Sequence, residues 1–397
     1  MYNNFKLPGT FSGCLPVGTQ YMDIRITPKK LKGRVTVPMS KSYAIRLALG
    51  MGLSEAPAPG PGSSMDVDAA IRVSHFDGFA DCGQSATVLR LGIAIAAALG
   101  VETEFTGNGS LLMRPIKDFL NMLSEHGVTF SDTKLPFKMT GKLIPGNYVI
   151  SGNVTSQYVS GLLMALPLLD GDSTITIVDP PQSGPYIDMT VAVMKTFGVD
   201  VISDEKGRFY TIKGNQKYKS WDVICERDWS AAAFWFAANA LGCDITIDGL
   251  NHDTTQGDKT VEYLISRLGR TINLNNTPDL APPLAAAACG IDRTTVFTGC
   301  ARLRYKESDR VETIINMIND LGGRAFLEEG DIFVVGSGKL PGGTVESLGD
   351  HRIAMAAAVL SCCCDGPVII KNAECVSKSY PAFFDDFKSL GGEFDVI

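Results

Sequence analysis

The chain has 397 residues, of which 45% are hydrophobic and 20% are charged, and its formal net charge is −7. This length exceeds what one hydrophobic core usually supports, so two domains are expected, and the composition excludes a disordered protein. The negative charge argues against a broadly basic nucleic-acid-binding protein, so any anionic substrate must be attracted by a local cluster of cations.

Residues 1–21 lack the charged start and apolar centre of a secretory signal, and we expect a loose extension with Met22 as a candidate natural start. The longest apolar run, residues 91–101, is about half of a membrane span and predicts no membrane insertion. The ten cysteines form no CxxC pair, although three are consecutive at 362–364, and there are four histidines. We therefore predict no metal and no other cofactor, and reduced thiols in a cytoplasmic protein.

One arrangement recurs along the chain: a strand-like stretch, a short polar segment and a helix rich in Ala, Leu and other small residues. The polar segments lie at residues 40–42, 84–87, 155–157, 228–230, 306–308 and 350–352. Apolar periodicity predicts the helices and β-branched runs predict the strands, so we expect repeated βαβ-like units in an α/β fold. Helix N-termini at one end of the sheets would attract phosphates there. Residues 55–64 are expected to be a loop.

Cations accompany hydroxyl and amide groups at these helix starts. Lys41, Ser42 and Arg46 lie in the first turns of one predicted helix, and further cations follow the other segments at Arg90, Arg114, Lys306, Arg310, Arg352 and Lys378. Arginine binds carboxylate or phosphate bidentately, and lysine supplies a movable point charge. Each residue alone is more often a solvated surface group, but their repetition at helix starts favours a cleft that binds anions.

Two carboxylates in this pattern are candidates for proton transfer. Asp279 precedes an Ala- and Pro-rich run, where capping a helix is the simpler interpretation. Glu307 lies between Lys306 and Arg310, where an ion pair within a helix is the simpler interpretation. A proton-transfer enzyme would place such groups beside lysines to set their ionisation. The chain has no GxxxxGK[ST], GxGxxG or GxSxG motif, so the usual markers of ATP, NAD and acyl-enzyme chemistry are absent.

The motifs, taken in order, resemble the 5-enolpyruvylshikimate-3-phosphate synthase family. The matching segments are residues 38–42 (PMSKS) with Arg46, 81–87 (DCGQSAT) with Arg90, 113–116 (MRPI), 155–158 (TSQY), 185–188 (PYID), 194–199 (MKTFGV), 256–258 (QGD), 306–310 (KESDR), 350–355 (DHRIAM) and 378–381 (KSYP). The matches run from about residue 24 to the C-terminus. Any one of them is weak, but so many in register are highly specific.

The resemblance implies two lobes, each of three small α/β units, with helix N-termini facing the cleft between the lobes. Residues 1–37 and 227–397 would form one lobe, which carries the phosphoenolpyruvate-side residues near the C-terminus. Residues 38–226 would form an inserted lobe with most contacts to shikimate 3-phosphate. A monomer that binds these two small molecules, and neither nucleic acid nor membrane, is expected.

The resemblance also implies roles for single residues. The expected contacts to shikimate 3-phosphate are Lys41, Ser42, Arg46, Thr155, Ser156, Gln157, Ser183, Asp279, Arg302 and Lys306. The expected contacts to phosphoenolpyruvate are Lys41, Ala86, Arg114, Gln157, Arg310, Arg352 and Lys378. Asp279, Glu307 and Lys41 would be catalytic, with Asp279 as the base near the acceptor hydroxyl and Glu307 or Lys41 as the acid near the methylene. The chain differs from the family pattern at Met39, Gln84, Ala86, Thr155, Gly184 and Arg302.

Ala86 stands where the family has a glycine against which the herbicide glyphosate lies, so we expect a glyphosate-insensitive enzyme. Two alternatives remain open. The sister family that transfers enolpyruvate to UDP-N-acetylglucosamine usually carries a reactive cysteine before its Arg-Pro element, but residues 107–113 contain none. A non-catalytic relative that kept the cleft is the second alternative.

Overall fold

The computed structural model describes residues 22–54, 64–153, 155–180, 182–219 and 224–397. The loose extension expected at residues 1–21 and nearly all of the loop expected at 55–64 lie outside these residues. No helix in the described part of the chain is long and apolar enough to cross a membrane.

Helices and strands alternate along the chain. The helices are α1 Lys41–Gly52, α2 Met65–Val73, α3 Ala86–Leu99, α4 Lys117–Ser124, α5 Ser156–Ala165, α6 Gly184–Thr196, α7 Trp229–Ala240, α8 Val261–Ile265, α9 Ala281–Ala288, α10 Arg310–Asp320, α11 His351–Leu360 and α12 Phe383–Ser389. The strands are β1 Ile24–Thr27, β2 Lys32–Val35, β3 Phe79–Asp81, β4 Thr103–Thr106, β5 Val128–Phe130, β6 Phe137–Gly141, β7 Asn147–Ile150, β8 Ser173–Ile177, β9 Ile202–Ser203, β10 Phe209–Ile212, β11 Asp244–Ile247, β12 Thr271–Asn273, β13 Thr294–Thr298, β14 Arg324–Glu328, β15 Asp331–Val335, β16 Gly343–Glu346, β17 Val368–Lys371 and β18 Glu393–Val396.

Four sheets share one topology, in which a parallel pair is extended by two antiparallel strands. Their strand orders are β3-β4-β6-β5, β7-β8-β10-β9, β12-β13-β15-β14 and β16-β17-β1-β18. In the first three, the chain runs β-α-β-α-β-β, whereas the fourth takes its third strand from the start of the chain. The predicted α/β fold built from repeated units is therefore confirmed.

Each half of the molecule also contains a third α/β unit, which has fewer paired strands than the other two among the described residues. In one half it is the parallel pair β2-β11 with α7 and α8. In the other half, α1 and α2 are accompanied by a single parallel bridge between Ser54 and Tyr218. The expected three units per lobe thus appear as two complete units and one reduced unit.

The buried apolar side chains form two clusters. One cluster contains Ile24 to Val37 together with Trp229 to Leu390, and the other contains Tyr43 to Cys225. The chain passes between them twice, and there Met39 forms an antiparallel bridge with Arg227. We propose that each cluster is the core of one lobe, with boundaries near residues 38 and 226.

Side-chain caps fix where several helices begin. Ser85, Thr155, Asp228, Asp309 and Asp350 each accept a hydrogen bond from a backbone N–H in the first turn of α3, α5, α7, α10 and α11, respectively. Such caps satisfy N–H groups that lack partners within the helix. Four of these caps lie within the recurring polar segments of the sequence, and Asp309 immediately follows the segment at residues 306–308.

A glycine allows α3 and α5 to pack closely. A Cβ at Gly161 in α5 would lie 2.9 Å from the Arg90 carbonyl oxygen and 3.4 Å from the Leu91 Cα, both in α3. Because backbone atoms cannot move aside as a flexible side chain can, a larger residue would push the helices apart.

We predict that Gly161→Val lowers the free energy of unfolding by about 1–3 kcal/mol, the usual loss on overpacking. The control is Gly184→Ala at the start of α6, where a Cβ has no heavy atom within 4 Å, so stability should be unchanged or slightly higher. Urea titrations of both variants measure this, and a Gly161→Val protein as stable as the wild type would contradict the packing argument.

Candidate active site

A cavity of about 400 Å³ lies where the two clusters meet. Helix starts from both clusters line it: α1, α3 and α5 from one, and α11 from the other. Fourteen predicted site residues line the cavity, namely Lys41, Ser42, Arg46, Ala86, Arg114, Thr155, Ser156, Gln157, Ser183, Asp279, Arg302, Lys306, Glu307 and Arg352. The predicted residues Arg310 and Lys378 are buried beside Asp279 and Glu307 and do not line the cavity.

Asp279 lies at the centre of a group of cations. Its Oδ1 is 3.0 Å from the Lys306 Nζ and 2.8 Å from the Arg310 Nη1, and its Oδ2 is 3.1 Å from the Arg352 Nη2. Burial alone would raise the pKa of this carboxyl, but the three cations together hold the pKa well below its usual value. Its side chain caps no helix, so the simpler interpretation from sequence is wrong.

Glu307 occupies a second cationic group. Its carboxylate is 2.7 Å from the Arg310 Nη2, 3.3 Å from the Arg114 Nη2 and 3.6 Å from the Lys378 Nζ. Burial would raise the pKa of Glu307, but these cations, Arg114 foremost, hold it well below the usual value. The ion pair with Arg310 exists, but it is not within a helix as expected, because Glu307 lies three residues before α10 begins at Arg310. Contacts from Arg114 and Lys378 add to it.

Arg114 has donors that remain unused. Its Nε and Nη2 are buried without a hydrogen-bond partner among the described residues. The Glu307 carboxylate at 3.3 Å attracts the Nη2 charge, yet the pair lacks hydrogen-bond alignment. Unsatisfied buried donors are costly, so an anion in the cavity that accepted hydrogen bonds from this guanidinium would remove that cost.

Lys41 begins α1 and sends its ammonium group to the cavity, where it lies 3.1 Å from the Asp66 carboxylate. Sequence analysis missed Asp66, which is in the first turn of α2. The pattern around residue 66 contains no signal that would have identified it, because the pairing depends on how α1 and α2 pack.

Arg46 is almost fully buried and contacts only neutral groups. Its guanidinium donates to the Thr190 Oγ1 at 2.7 Å, the Ser42 carbonyl oxygen at 2.8 Å and the Tyr186 carbonyl oxygen at 3.1 Å. Burial lowers its pKa to about 10. These contacts join α1 to α6, so much of its donor capacity is structural.

A network that involves Arg90 positions Gln157. The Arg90 Nη1 donates to the Gln157 Oε1 at 2.6 Å, and its Nη2 donates to the Pro115 carbonyl oxygen at 2.7 Å. The Gln157 Nε2 in turn donates to the Thr87 Oγ1 at 2.9 Å. Arg90 therefore fixes both Gln157 and the segment next to Arg114.

Arg302 stands where the family pattern has an asparagine, and it contacts the residues that immediately precede α6. Its Nη1 lies 3.2 Å from the Ser183 Oγ and 3.3 Å from the Gln182 Oε1. Tyr186, which sequence analysis did not assign to the site, donates to the Asp279 Oδ2 at 3.2 Å. Its position in the PYID segment was the available signal.

The cavity has a surplus of positive charge. Among the described residues that line it, seven are cationic (Lys41, Arg46, Arg90, Arg114, Arg302, Lys306 and Arg352) and four are acidic (Asp66, Asp118, Asp279 and Glu307). No group of three or more His, Cys, Asp or Glu side chains in the described ranges is arranged to hold a metal ion. The arrangement suits small molecules that carry more than one anionic group.

Comparison with known proteins agrees with this geometry. The family model for EPSP synthase (3-phosphoshikimate 1-carboxyvinyltransferase) matches residues 70–276 and 269–387. The chain belongs to the EPSP synthase family. A relative from Clostridium kluyveri named 3-phosphoshikimate 1-carboxyvinyltransferase is 41% identical over 335 residues, which cover 79% of this chain and 78% of the relative.

Other matches extend further along the chain. A Brachyspira hyodysenteriae relative with the same name is 32% identical over an alignment of 418 positions, which covers 94% of this chain and 99% of the relative. The solved structure of EPSP synthase from Acinetobacter baumannii aligns with a TM-score of 0.79 at 23% identity and covers 95% of this chain and all of that one. That likeness shows a shared fold.

Three of the positions that differ from the family pattern can be placed by their contacts. Ala86 is the first residue of α3, is 5% exposed and lines the cavity. The Gln84 side chain packs against Gly109, where a Cβ would approach it to 2.9 Å. Met39 lies in the bridge with Arg227.

We predict that Asp279 contributes to acid sensitivity. Its pKa is lower in the folded protein than in the unfolded chain, so its contribution to stability is present above about pH 4 and is lost as the pH falls further. The free energy of unfolding should therefore decrease more steeply between about pH 5 and pH 3 in the wild type than in Asp279→Asn. Denaturant titrations across this range measure the two slopes. Parallel slopes would contradict a lowered pKa for Asp279 in the folded protein.

Proposed function

We propose that the protein transfers the enolpyruvyl group of phosphoenolpyruvate to the 5-hydroxyl of shikimate 3-phosphate and releases phosphate, as a transferase of the shikimate pathway for aromatic amino acids. The family assignment supports this reaction. The observation in the structure that carries the proposal is the surplus of cations around two carboxylates in one cavity, with donors of Arg114 unused.

The two substrates would occupy different sides of the cavity. Shikimate 3-phosphate would contact Ser42, Arg46, Thr155, Ser156, Ser183, Arg302 and Lys306. Phosphoenolpyruvate would contact Ala86, Arg114, Arg310, Arg352 and Lys378, while Lys41 and Gln157 would contact both. Arg310 and Lys378 bind carboxylates in the structure, so they would reach the substrate only by redirecting part of their hydrogen bonding. Each substrate carries a carboxylate and a phosphate, and these would complete the charge balance.

Asp279 would act as the base, and its basicity would rise as the substrate anions engage Arg352, Lys306 and Arg310, which otherwise hold its pKa low. It is ionised at neutral pH, and in the proposed arrangement it lies beside the acceptor hydroxyl. The hydroxyl oxygen would attack the enol carbon as its proton passes to Asp279, while the terminal methylene gains a proton from an acid. The tetrahedral adduct would then lose phosphate, which takes up the proton held by Asp279. The methyl group would return a proton to the conjugate base of the acid and restore the double bond.

The acid would be Glu307 or Lys41. Glu307 is held ionised by Arg114, Arg310 and Lys378. When phosphoenolpyruvate binds these cations, their hold on the carboxylate weakens and its pKa rises, which favours proton uptake before transfer. The Asp66 carboxylate, 3.1 Å away, orients the Lys41 ammonium group for this role.

We also propose a cytoplasmic monomer that uses no metal or cofactor and binds neither nucleic acid nor membrane. The nine described cysteines are all free, and seven of them are buried, which is typical of a reducing compartment.

The reaction is tested by phosphate release after exhaustive chelation of metals. Phosphate should appear with both substrates together and with neither alone. Activity that vanishes with the chelator and returns with zinc or magnesium would contradict a metal-free reaction. Turnover with UDP-N-acetylglucosamine in place of shikimate 3-phosphate would favour the sister activity, and ligand binding without turnover would indicate a non-catalytic relative.

Arg114 and Asp279 should differ in the step that they affect. Arg114→Ala should weaken phosphoenolpyruvate binding by about 2–5 kcal/mol, because Glu307 loses a buried partner and the substrate loses a guanidinium. Asp279→Ala should mainly lower kcat, because a positioned base contributes about 10²–10⁴-fold. The exposed substitutions Arg324→Ala and Asp244→Ala are matched controls. Equal, small effects on kcat/KM at positions 114 and 279 would place both residues outside the site.

Ala86 should control sensitivity to glyphosate. Because Ala86 begins α3 and faces the cavity, its methyl group cannot easily retreat, and it should crowd glyphosate more than the shorter phosphoenolpyruvate. An overpacking cost of about 1–3 kcal/mol corresponds to roughly five- to a hundredfold weaker inhibition. We expect Ala86→Gly to lower the inhibition constant sharply with little change in KM for phosphoenolpyruvate. A wild-type enzyme that is inhibited as strongly as Ala86→Gly would refute the steric argument.

A further inference from the structure

The two segments that join the lobes run side by side. The Ser40 N–H donates to the Glu226 carbonyl oxygen at 2.7 Å, and the Asp228 N–H donates to the Pro38 carbonyl oxygen at 2.9 Å. These bonds flank the bridge between Met39 and Arg227. Lys41 follows immediately on one segment and α7 begins immediately on the other, so backbone pairing brings two helix starts together.

One carboxylate serves both helix starts. The Oδ1 of Asp228 accepts the Ala231 N–H of its own helix α7 at 3.0 Å, as an ordinary N-cap does. The Oδ2 of Asp228 accepts the Lys41 N–H at 2.9 Å, at the first residue of α1. Ser40, the residue in the N-cap position of α1, makes no side-chain cap bond. The cap of α1 thus comes from the other segment and from the other core cluster.

Asp228 itself is 6% exposed and does not line the cavity. Both of its oxygens are used by backbone N–H groups, so it has no direct contact with a substrate in the site described above. The residue whose backbone it holds, Lys41, sends its ammonium group into the cavity. A shift of the Lys41 backbone would displace that group and lengthen its contact with Asp66.

We propose that Asp228 is a positioning residue that acts through Lys41, because its carboxylate caps one helix of each lobe and thereby fixes the start of α1 relative to α7. The assignment rests on the proposed function, in which Lys41 contacts both substrates. The simpler explanation is that Asp228 only caps its own helix. The two explanations differ in whether the second oxygen matters.

Two substitutions separate these roles. In Asp228→Ser, the hydroxyl remains a good N-cap for α7 but offers a single oxygen, so the Lys41 N–H loses its acceptor. In Asp228→Asn, the amide oxygen can accept a hydrogen bond from only one of the two backbone N–H groups. The amide nitrogen is itself a donor, so it cannot accept a hydrogen bond from the other. Asp204→Asn is the matched control, because Asp204 accepts the Arg208 and Phe209 N–H groups at 2.6 and 3.0 Å in a remote exposed turn.

The test is a double-mutant cycle with Lys41→Met. Asp228→Ser and Asp228→Asn should each lower kcat/KM about 5- to 30-fold in the presence of Lys41, the equivalent of one lost cap. In the Lys41→Met background, each substitution should change kcat/KM less than about twofold, because the group that Asp228 positions is already absent. Asp204→Asn should have no effect in either background. If Asp228→Ser has the same factor in both backgrounds, Asp228 does not act through Lys41.

Two further measurements test the same role of Asp228. If turnover of Lys41→Met is too slow, calorimetric Kd values for shikimate 3-phosphate in the same four proteins give the cycle, and additivity again overturns the assignment. Amide hydrogen exchange in Asp228→Ser should accelerate at the start of α1 and not at the start of α7, and the reverse pattern contradicts the proposal. Failure of the unsubstituted protein to release phosphate counts against the proposed function instead.

Discussion

The structure of the site depends on the pairing of Arg310 with three carboxylates. This guanidinium is 1% exposed, and it lies 2.8 Å from Asp279, 2.7 Å from Glu307 and 2.8 Å from Asp350. A buried charge is tolerated only when it is paired and hydrogen-bonded. Arg310 therefore fixes the positions of both candidate proton-transfer groups, and Asp350, which also caps α11, fixes Arg310.

The remaining cations then have too few carboxylates to neutralise them. Lys306 and Arg352 share Asp279 with Arg310, and Arg114 and Lys378 share Glu307 with it. Because these residues come from separate units and from both clusters, the cavity is a product of the whole fold. In the proposed function, the incoming anions of the substrates would supply the missing negative charge.

Much of this arrangement could be predicted from sequence, because motifs at helix starts are local. Polar segments such as residues 155–157 combine a cap, a strand-to-helix transition and a binding group in three positions. Fourteen of the sixteen site residues whose roles the family resemblance implied line the cavity. The repeated βαβ units also follow from local periodicity, whereas the antiparallel strands that complete each sheet were not predicted. The use of β1 as the third strand of the last sheet depends on a contact between the two ends of the described chain.

Other features depend on long-range packing and could not be predicted. Asp66 pairs with Lys41 only because α2 packs on α1, and Tyr186 reaches Asp279 only across the junction of the clusters. The placement of Arg310 and Lys378 behind the carboxylates is likewise a consequence of burial, which sequence motifs do not encode. The shared cap of Asp228 arises from the pairing of two segments almost 190 residues apart.

We propose that the surplus positive charge of the cavity binds the anionic groups of the acceptor. Calorimetric titration with shikimate 3-phosphate and with shikimate, which has the same ring without the phosphate, tests it most directly. Loss of charge-assisted hydrogen bonds to a buried cation costs about 2 kcal/mol or more, so the Kd for shikimate should be about 30-fold higher or more. Equal Kd values for the two compounds would show that the cations of the cavity do not bind the acceptor phosphate and would contradict this role of the positive charge.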